Sequence, residues 1–336
     1  MSGIAEVARR AGVSKATASR ALTGNGYVAP ETRERVQVAA RELGYVASSS
    51  ATSLVTGRTH TVALVVPRVR RWYFGEIIEG IERSLMTFGY DLTLYIAEPD
   101  SRDRDRLYEH FLARKRFDGV IAVALEPDDT DIERLIGFAK PTVCIGNELP
   151  GITTLGIDNV AIGRMITQHL LALGHTRIDF IGTTPHTDPR ARDVDDRAQG
   201  YLQAMRAANL PAAVHPAALT ITDGYAAATP VLADADARPT AIVGACDEIA
   251  IGALIAAQRL GIAVPSQLSA IGIDGHDYAE MFALTTVEQD PSAQGEDAVA
   301  ILMSMIDGAT GVERTTAPTR LVMRASTAAP ATVRIG

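Results

Sequence analysis

The sequence has few of the residues that build disulfide frameworks, metal centres or membrane spans. It contains two cysteines, Cys144 and Cys246, and seven histidines that share no ligand-like spacing with them, so a metal site is not expected. Both cysteines lie in apolar segments, which is typical of buried thiols in a reducing cytoplasm. No stretch approaches the roughly 18 apolar residues of a membrane helix. The N-terminal residues also lack the pattern of a secretory signal.

Catalytic signatures are missing as well. The sequence holds no nucleophile elbow, no phosphate-cradling glycine loop and no set of metal ligands. We interpret His175 and His276 as structural side chains. The sequence therefore predicts no catalytic residues and no cofactor, and favours a binding function over an enzymatic one.

The charge of the chain is unevenly distributed. The formal net charge is −8, but residues 1–58 hold eight Arg or Lys against four Glu, a net charge of +4 that leaves −12 for the remainder. A basic N-terminal segment followed by an acidic remainder is typical of a small domain that contacts nucleic-acid phosphates and a larger domain that does not. A length of 336 residues suits a small domain followed by a larger core.

The N-terminal segment predicts three short helices. The first ends at Gly12, the second covers residues 15–22 after the capping residue Ser14, and the third begins at Pro30. Their apolar faces comprise Ile4, Val7, Ala8, Ala11, Val13, Ala18, Ala21, Leu22, Val36, Ala39, Ala40 and Leu43. Two helices joined by a tight turn at Gly12 match a helix-turn-helix unit.

The second helix presents an outer face that fits the major groove of DNA. Arg20 has the geometry to donate two hydrogen bonds to a guanine, whereas Ala16 reaches at most a thymine methyl group. Hydroxyl groups such as those of Thr17 and Thr32 suit phosphate oxygens. The predicted DNA-binding residues of this segment are Lys15, Ala16, Thr17, Ser19, Arg20, Thr23, Tyr27 and Thr32. The alternative is a three-helix packing unit that binds no nucleic acid.

Beyond a Ser/Thr-rich linker at 46–58, apolar strands alternate with amphipathic helices such as 75–88 and 160–173. Continuous apolar strands separated by helices indicate parallel sheets covered on both faces. The strand candidates are 61–67, 91–97, 119–125, 141–146, 177–182, 240–246, 268–274 and 320–325. Eight such units divide most simply into two doubly wound α/β lobes.

Along nearly its whole length the sequence resembles the LacI/GalR family of repressors. In the N-terminal part the resemblance rests on EVARRAGVSKATASRALTG, YVAPETRERV and ELGY. Further along it rests on YFGEIIEGIE, RFDGVI, GIDNVAIGRMITQHLLALGHTRIDFIG, RAQGYLQAM, RPTAIVGACDEIAIGAL, SAIGIDG and LTTVEQDP. It implies an all-α helix-turn-helix head over 1–46, a hinge over 47–58, and an effector-binding and dimerisation core over 59–336. That core is expected to consist of two interleaved α/β lobes, like those of periplasmic binding proteins.

The resemblance also implies how the chain meets DNA. A homodimer would bind a palindromic operator in double-stranded DNA, and Leu54 of each hinge would wedge open a central base step from the minor groove. The hinge departs from the family pattern at Ala47-Ser48 and Thr52. The alternative for Leu54 is packing onto the surface of the core. No membrane partner is expected.

Four effector-binding residues follow from the resemblance. Tyr73 and Phe74 match the aromatic pair of the family, Arg197 its polar clamp and Asp274 its ligand-binding carboxylate. Each of these residues also has an alternative, purely structural interpretation. The rings from Trp72 to Phe74 would close a core, Arg197 would pair with Asp195 or Asp196 on the surface, and Asp274 would cap a turn through Gly275. Asp158-Asn159 is interpreted mainly as a helix cap.

The identity of the effector stays open at this point. A sugar or sugar derivative is the first expectation and a purine or nucleoside the second, since YFGEIIE resembles the purine-repressor form. Cys246 replaces the family's usual asparagine, and the loop 183–196 is longer than usual. Both induction and co-repression fit the family. A solute-binding protein, or an enzyme with a periplasmic-binding-like core, remains the alternative class.

Overall fold

The computed structural model describes residues 3–23, 26–45, 57–98, 102–114, 116–125, 129–146, 148–183, 192–311 and 313–331. Most of the predicted hinge, with Leu54, lies outside the described residues, as does most of the loop 183–196. The chain divides into two compact units, Met1–Thr61 with Arg116–Asp118, and Val62–Lys115 with Gly119–Gly336. Among the described residues, no helix is long and apolar enough to cross a bilayer.

Within its described residues the first unit contains three helices, as predicted. They are α1 (Ile4–Ala11), α2 (Lys15–Thr23) and α3 (Pro30–Glu42). Gly12 ends α1 in a left-handed conformation (φ 69°), which glycine adopts without a steric penalty. The three helices share a small core in which Val7, Ala18 and Val36 are fully buried. The periodicity of the sequence thus gives both the helices and the faces that they bury.

The second unit contains two sheets, and the first sheet defines lobe 1. Its strands are β1 (Thr61–Val66), β2 (Asp91–Ile96), β3 (Gly119–Val123), β4 (Thr142–Ile145), β5 (Thr153–Gly156) and β11 (Arg314–Thr316), in the order β11-β5-β4-β3-β1-β2. The pairings β1–β3, β3–β4, β4–β5 and β5–β11 are parallel. The intervening helices are α4 (Trp72–Phe88), α5 (Arg102–Arg106, followed by a π turn and a 3₁₀ turn to Arg114) and α6 (Asp129–Gly137).

The second sheet defines lobe 2. Its strands are β6 (Ile178–Gly182), β7 (Ala213–Pro216), β8 (Ala241–Gly244), β9 (Ser269–Asp274), β10 (Thr285–Glu288) and β12 (Arg320–Val322), in the order β12-β10-β9-β8-β6-β7. All of these pairings are parallel except β10–β12. The remaining helices are α7 (Asn159–Ala172), α8 (Arg192–Ala207), α9 (Ile221–Ala233), α10 (Asp247–Arg259), α11 (Tyr278–Met281) and α12 (Pro291–Ile306).

The two lobes are interleaved, because the chain passes between them three times. It passes after β5 into α7, which packs on α8 of lobe 2; after β10 into α12, which packs on α4 of lobe 1; and between β11 and β12. The helix pairs approach closely through glycines. A Cβ atom at Gly163 would collide with the backbone carbonyl of Arg197, and one at Gly80 with that of Ser292. The fold class predicted from the sequence is confirmed.

All eight predicted strands are present with slightly shorter bounds, but four further strands in the described part of the chain were missed. The missed strands β5, β7, β10 and β11 are three or four residues long. Their sequences lack a continuous apolar run. β10 buries two threonines, and the Thr285 amide and hydroxyl find partners in Ser326 and the carbonyl of Arg324. A buried threonine whose polar groups are satisfied fills a core position without an apolar signature.

Candidate functional sites: the head surface and the polar cleft

The N-terminus of α2 is organised by Ser14. Its hydroxyl oxygen accepts the backbone N–H of Thr17 at 3.0 Å and lies 2.8 Å from the Thr17 hydroxyl. This is the capping arrangement that the sequence predicts, and it satisfies one of the free N–H groups of the helix end. The remaining N–H groups of this turn carry a partial positive charge that suits a phosphate oxygen.

The outer face of α2 is exposed as predicted. Lys15, Ala16 and Arg20 are exposed, whereas Ser19 is half-buried. The Arg20 Nε donates to the carbonyl oxygen of Ala16 at 3.3 Å, so the guanidinium lies along the helix, and the Thr23 hydroxyl donates to the carbonyl oxygen of Ser19 at 2.9 Å. Within the described residues, neither Lys15 nor Arg20 forms an ion pair. Their charges are therefore available to DNA.

Two other predicted DNA-binding residues lie beyond α2. Tyr27 is 88% exposed, so its ring is accessible to a binding partner. Thr32 is half-buried in the first turn of α3. By contrast, Arg10 is bound to Glu42 at 2.9 Å and ties α1 to α3. The structure thus places unpaired basic charge on α2 and uses the charge of Arg10 for packing.

The second candidate site lies in the core, where strands of lobe 2 end. Asp274 is the last residue of β9, Asp247 begins the helix after β8, and Gln289 follows β10. Carboxyl ends of parallel strands meet at one edge of a sheet, which is where open α/β folds bind ligands. Asn159, at the first passage between lobes, and Arg197, on α8, complete the cluster. We call these five residues the polar cleft.

Arg197 and Asp274 form the centre of the polar cleft. The Arg197 Nη1 donates to Asp274 Oδ1 at 3.3 Å and to the carbonyl oxygen of Ala245 at 2.6 Å, while its Nε donates to Asn159 Oδ1 at 2.8 Å. Gln289 Nε2 also donates to Asp274 Oδ1, at 2.6 Å. Both charged side chains are more than nine-tenths buried. This burial rules out the alternative in which Arg197 forms an ion pair on the protein surface.

Asp274 also has an unusual backbone. Its φ of 128° lies in a region that side-chain-bearing residues rarely adopt. The hydrogen bonds from Arg197 and Gln289 hold the residue in place. Strain of this kind is found where a fixed side-chain direction matters, as in ligand sites.

Asp247 was missed by the sequence analysis. It is fully buried, and accepts the hydroxyl of Thr286 at 2.6 Å and the backbone N–H of His276 at 2.8 Å. Burial, and then the nearby carboxylate of Asp274, raise the pKa of Asp247 to about 7. The neighbouring Cys246 thiol is buried, which raises its pKa to about 12 and keeps it neutral. Cys246 is thus a small buried side chain, as predicted.

The aromatic residues are arranged differently from the prediction. Phe74 is buried in the hydrophobic core, and Tyr73 packs edge-on against it with ring centroids 5.4 Å apart. The ring that reaches lobe 2 is that of Trp72, which stacks on His276 at 4.7 Å. His276 in turn lies 4.9 Å from the ring of Tyr278. For Phe74, closing the core therefore describes its position better than facing a ligand.

An ion pair joins the lobes beside these rings. Arg71, immediately before α4, donates from Nε to Glu248 Oε2 at 2.9 Å, and both side chains are about 85% buried. Although burial opposes its charge, the neighbouring Cys246, Glu248 and Asp274 raise the pKa of Arg71. Through Glu248, Arg71 is tied to the residue next to Asp247 of the polar cleft. In the sequence, Arg71 and Trp72 directly precede the aromatic pair Tyr73-Phe74. Their role could not be inferred there, because it depends on their contacts with Glu248 and His276.

Two further sequence interpretations concern capping and histidine. Asp158 caps α7 by accepting the N–H of Ala161 at 2.9 Å, as predicted, whereas Asn159 belongs to the polar cleft and not to the cap alone. His175 is structural, with its ring bound to Thr240, Ser269 and a backbone carbonyl. The ring of His276 lies at the junction of the lobes, where it stacks on Trp72. No cluster of metal-ligating side chains occurs among the described residues.

A helix-turn-helix head with free basic side chains, together with a two-lobed core around a buried polar cluster, defines a ligand-responsive transcription regulator. Residues 3–48 match the family of bacterial regulatory proteins, lacI family, and residues 167–327 match the periplasmic binding protein-like domain. The HTH-type transcriptional repressor PurR of Proteus mirabilis (strain HI4320) is 34% identical over 316 residues, which cover 91% of each chain. The chain therefore belongs to the LacI family of DNA-binding transcription regulators, which respond to small-molecule effectors.

Solved structures agree with this assignment. A lac repressor dimer bound to operator and the anti-inducer ONPF superimposes with a TM-score of 0.86 at 23% identity, covering 98% of this chain and 99% of that one. This likeness establishes the fold. A complex of the transcriptional regulator CelR with cellobiose has a TM-score of 0.68 at 29% identity and covers 97% and 100% of the two chains.

Proposed function

We propose that this LacI-family regulator binds a palindromic operator as a homodimer in the cytoplasm, and that a sugar or sugar derivative held in the polar cleft controls this binding. The observation that carries the proposal is the buried Arg197–Asp274 pair at the strand ends of lobe 2. A charged pair is expensive to bury and rarely adds stability, so its presence favours a binding role.

On the DNA side, the proposal assigns base contacts to Lys15, Ala16, Ser19 and Arg20 and phosphate contacts to the hydroxyl-bearing residues. The exposure of the α2 outer face and its free basic charge support this assignment. The full set is Lys15, Ala16, Thr17, Ser19, Arg20, Thr23, Tyr27, Thr32 and Leu54. The proposal assigns residues 1–46 to the DNA-binding head, 47–58 to the hinge and 59–336 to the effector-binding and dimerisation core.

On the effector side, the proposal assigns polar contacts to Arg197 and Asp274. Asp274 Oδ1 is occupied by two donors, which leaves Oδ2 to accept from ligand hydroxyls. Gln289 and Asn159 fix the two charged groups and thereby the direction of their bonds. A hydroxyl group both donates and accepts, and so matches a carboxylate beside a guanidinium. This chemistry favours a sugar.

A purine or nucleoside is the second candidate. The stack of Trp72 on His276 offers flat rings to a base, and relatives named PurR are 33–34% identical to this chain. Tyr73, which follows Trp72 in the chain and is half-buried, stays in this assignment as a further ring. Whichever ligand binds, it changes operator affinity only through unequal affinity for two conformations of the protein, so ligand and operator affect each other reciprocally.

Two binding assays test the proposal. In the first, purified protein is titrated against double-stranded fragments from the promoter region of its own gene, with candidate metabolites present and absent. In the second, calorimetry measures binding of sugars, sugar derivatives and purines. We expect one compound to bind and to change operator affinity. Asp274→Asn should abolish its binding, whereas Asp297→Asn, at an exposed position of α12, should not.

The hinge assignment has its own variant. Leu54→Ala should weaken operator binding far more than non-specific binding, because only the operator complex contains the opened base step. Equal loss on both kinds of DNA would remove Leu54 from the proposal. If the protein bound no double-stranded fragment in low salt, with or without any of the metabolites, the proposal as a whole would be wrong.

A further inference from the structure

The segment Arg71-Trp72 of lobe 1 reaches lobe 2 through two different interactions. The guanidinium of Arg71 binds Glu248, and the indole of Trp72 stacks on the imidazole of His276. Tyr278 continues the row of rings and fixes His276 by donating its backbone N–H to Nδ1 at 3.0 Å. We call Trp72, His276 and Tyr278 the aromatic wall. It stands at the side of the polar cleft, since the backbone N–H of His276 binds Asp247.

One polar atom of the aromatic wall has no hydrogen-bond partner among the described residues. The indole Nε1 of Trp72 is buried and makes no hydrogen bond in the part of the chain that the structure describes. A buried donor without an acceptor costs on the order of 1–3 kcal/mol, and tryptophan N–H groups in protein interiors are usually bonded. An unpaired N–H beside a ligand cleft is therefore free to donate to an acceptor on the ligand.

The charges around the wall are already balanced. Arg71 is paired with Glu248, Arg197 is paired with Asp274, and all four side chains are about 85% buried or more. Asp247 adds a third acid, which burial keeps partly protonated near neutral pH. Among the described residues of the cleft there is thus no surplus cation to neutralise a phosphate or carboxylate. An uncompensated charge in such a site carries a heavy desolvation cost.

Taken with the proposed function, on which it rests, this arrangement leads us to propose that Trp72 is the specificity-determining residue of the effector site. The effector is an uncharged ring compound that lies against the aromatic wall and accepts a hydrogen bond from Trp72 Nε1. The Arg71–Glu248 pair holds Trp72 at this place. Phosphorylated and acidic forms of the same compound are rejected, because the described residues of the cleft offer them no free positive charge.

The chain contains one tryptophan, so its tryptophan emission comes from position 72 alone. Matched probes test the inference: D-glucose with glucose 6-phosphate, D-ribose with ribose 5-phosphate, and adenosine with its 5′-monophosphate, together with cellobiose and hypoxanthine. We expect a saturable change in emission with one uncharged probe. Where that probe has a phosphorylated counterpart, the counterpart should bind at least about tenfold more weakly.

Substitution separates the ring from its N–H group. Trp72→Phe keeps an aromatic face but removes the donor, and by calorimetry should bind the active probe about tenfold more weakly, the loss of one good hydrogen bond. His276→Gln should also weaken binding, whereas His215→Gln, whose imidazole binds Asp179 elsewhere in lobe 2, should not. Circular dichroism checks that each variant is folded.

Each outcome decides the inference. Equal affinity of wild type and Trp72→Phe, or tighter binding of a phosphorylated probe, overturns it. If Asp274→Asn abolishes binding while Trp72→Phe does not, the cleft proposal stands and only the role of Trp72 falls. If no probe changes the tryptophan emission or gives heat in calorimetry, the effector is not an uncharged ring compound, and the proposed sugar or purine is rejected with it. The DNA assay remains an independent measure of the regulator itself.

Discussion

The head and the polar cleft bring functional residues together in opposite ways. On α2 the two basic side chains that we propose to contact DNA, Lys15 and Arg20, are exposed, and among the residues that the structure describes Arg20 is held only by a 3.3 Å hydrogen bond to its own helix. In the cleft, Arg197, Asp274 and Gln289 are buried and bonded to one another. One site presents free groups to its partner, while the other is assembled in advance.

This difference decides how each site responds to substitution. The exposed side chains Lys15 and Arg20 of α2 support no other described residue, so replacing either should change recognition and leave folding unchanged. A side chain in the cleft neutralises or orients its neighbours, so replacing it leaves a buried group without a partner. Recognition and stability are therefore separable in the head and coupled in the cleft.

The largest expected effect tests that coupling. Arg197→Met removes the cation that faces Asp274 and should lower the free energy of unfolding by about 3–5 kcal/mol, because a buried carboxylate loses its counter-charge. Urea unfolding followed by Trp72 emission measures this in the core. Arg314→Met is the matched control: its pair with Glu148 is about half exposed, so the change should stay below about 1 kcal/mol.

A double variant sharpens the same point. Arg197→Met combined with Asp274→Asn removes both charges and should recover most of the lost stability. Additive losses would mean that the two side chains act independently, and the description of the cleft as one coupled network would then be wrong.

The next effect concerns the pH dependence of stability. Burial raises the pKa of Asp247 to about 7, well above that of a carboxyl group in an unfolded chain. Between about pH 4 and pH 7 the folded state then binds a proton that the unfolded state has lost, so stability falls as the pH rises through this window. The slope reaches at most about 1.4 kcal/mol per pH unit and flattens above pH 7.

Asp247→Asn isolates this contribution. The variant removes the titrating group, so its stability should decline less between pH 5 and pH 7 than that of the wild type. Burial lowers the pKa values of His169, His175 and His276, which contributes the opposite slope at acid pH. These histidines are present in both proteins and cancel in the difference. Identical slopes would mean that Asp247 is ionised in the folded protein throughout.

The same contrast explains what could be predicted from the sequence. The head follows from local rules, since helical spacing, the cap at Ser14 and the turn at Gly12 each act within a few residues. Arg197 and Asp274 were identified only by resemblance to a family. Asp247, Gln289 and the Arg71-Trp72 segment were missed, because their importance depends on contacts such as Arg71–Glu248 between residues far apart in sequence. Periodicity carries no information about such contacts.

A smaller effect is expected at the DNA surface. Arg20→Ala should cost about 1–3 kcal/mol of operator affinity and relax the preference for one base in each half-site. Its unfolding free energy should stay within about 0.5 kcal/mol of the wild type, since Arg20 is exposed. Fluorescence anisotropy with operator variants at each position measures the effect. A uniform loss on all sequences would instead place Arg20 on a phosphate.

The smallest effect concerns the cap of α2. Ser14→Ala removes the acceptor of the Thr17 N–H and should destabilise the helix end by about 1 kcal/mol. Hydrogen exchange of the backbone amides in α2 should then be about fivefold faster, while exchange in α10 stays unchanged, because the cap acts only on its own helix. Ser14→Asp restores an acceptor and should restore slow exchange. Faster exchange in α10 of the Ser14→Ala variant would show that the cap also affects residues outside the head. Failure of Ser14→Asp to restore slow exchange in α2 would show that the lost hydrogen-bond acceptor is not the cause. Either result would contradict the independence of the head residues.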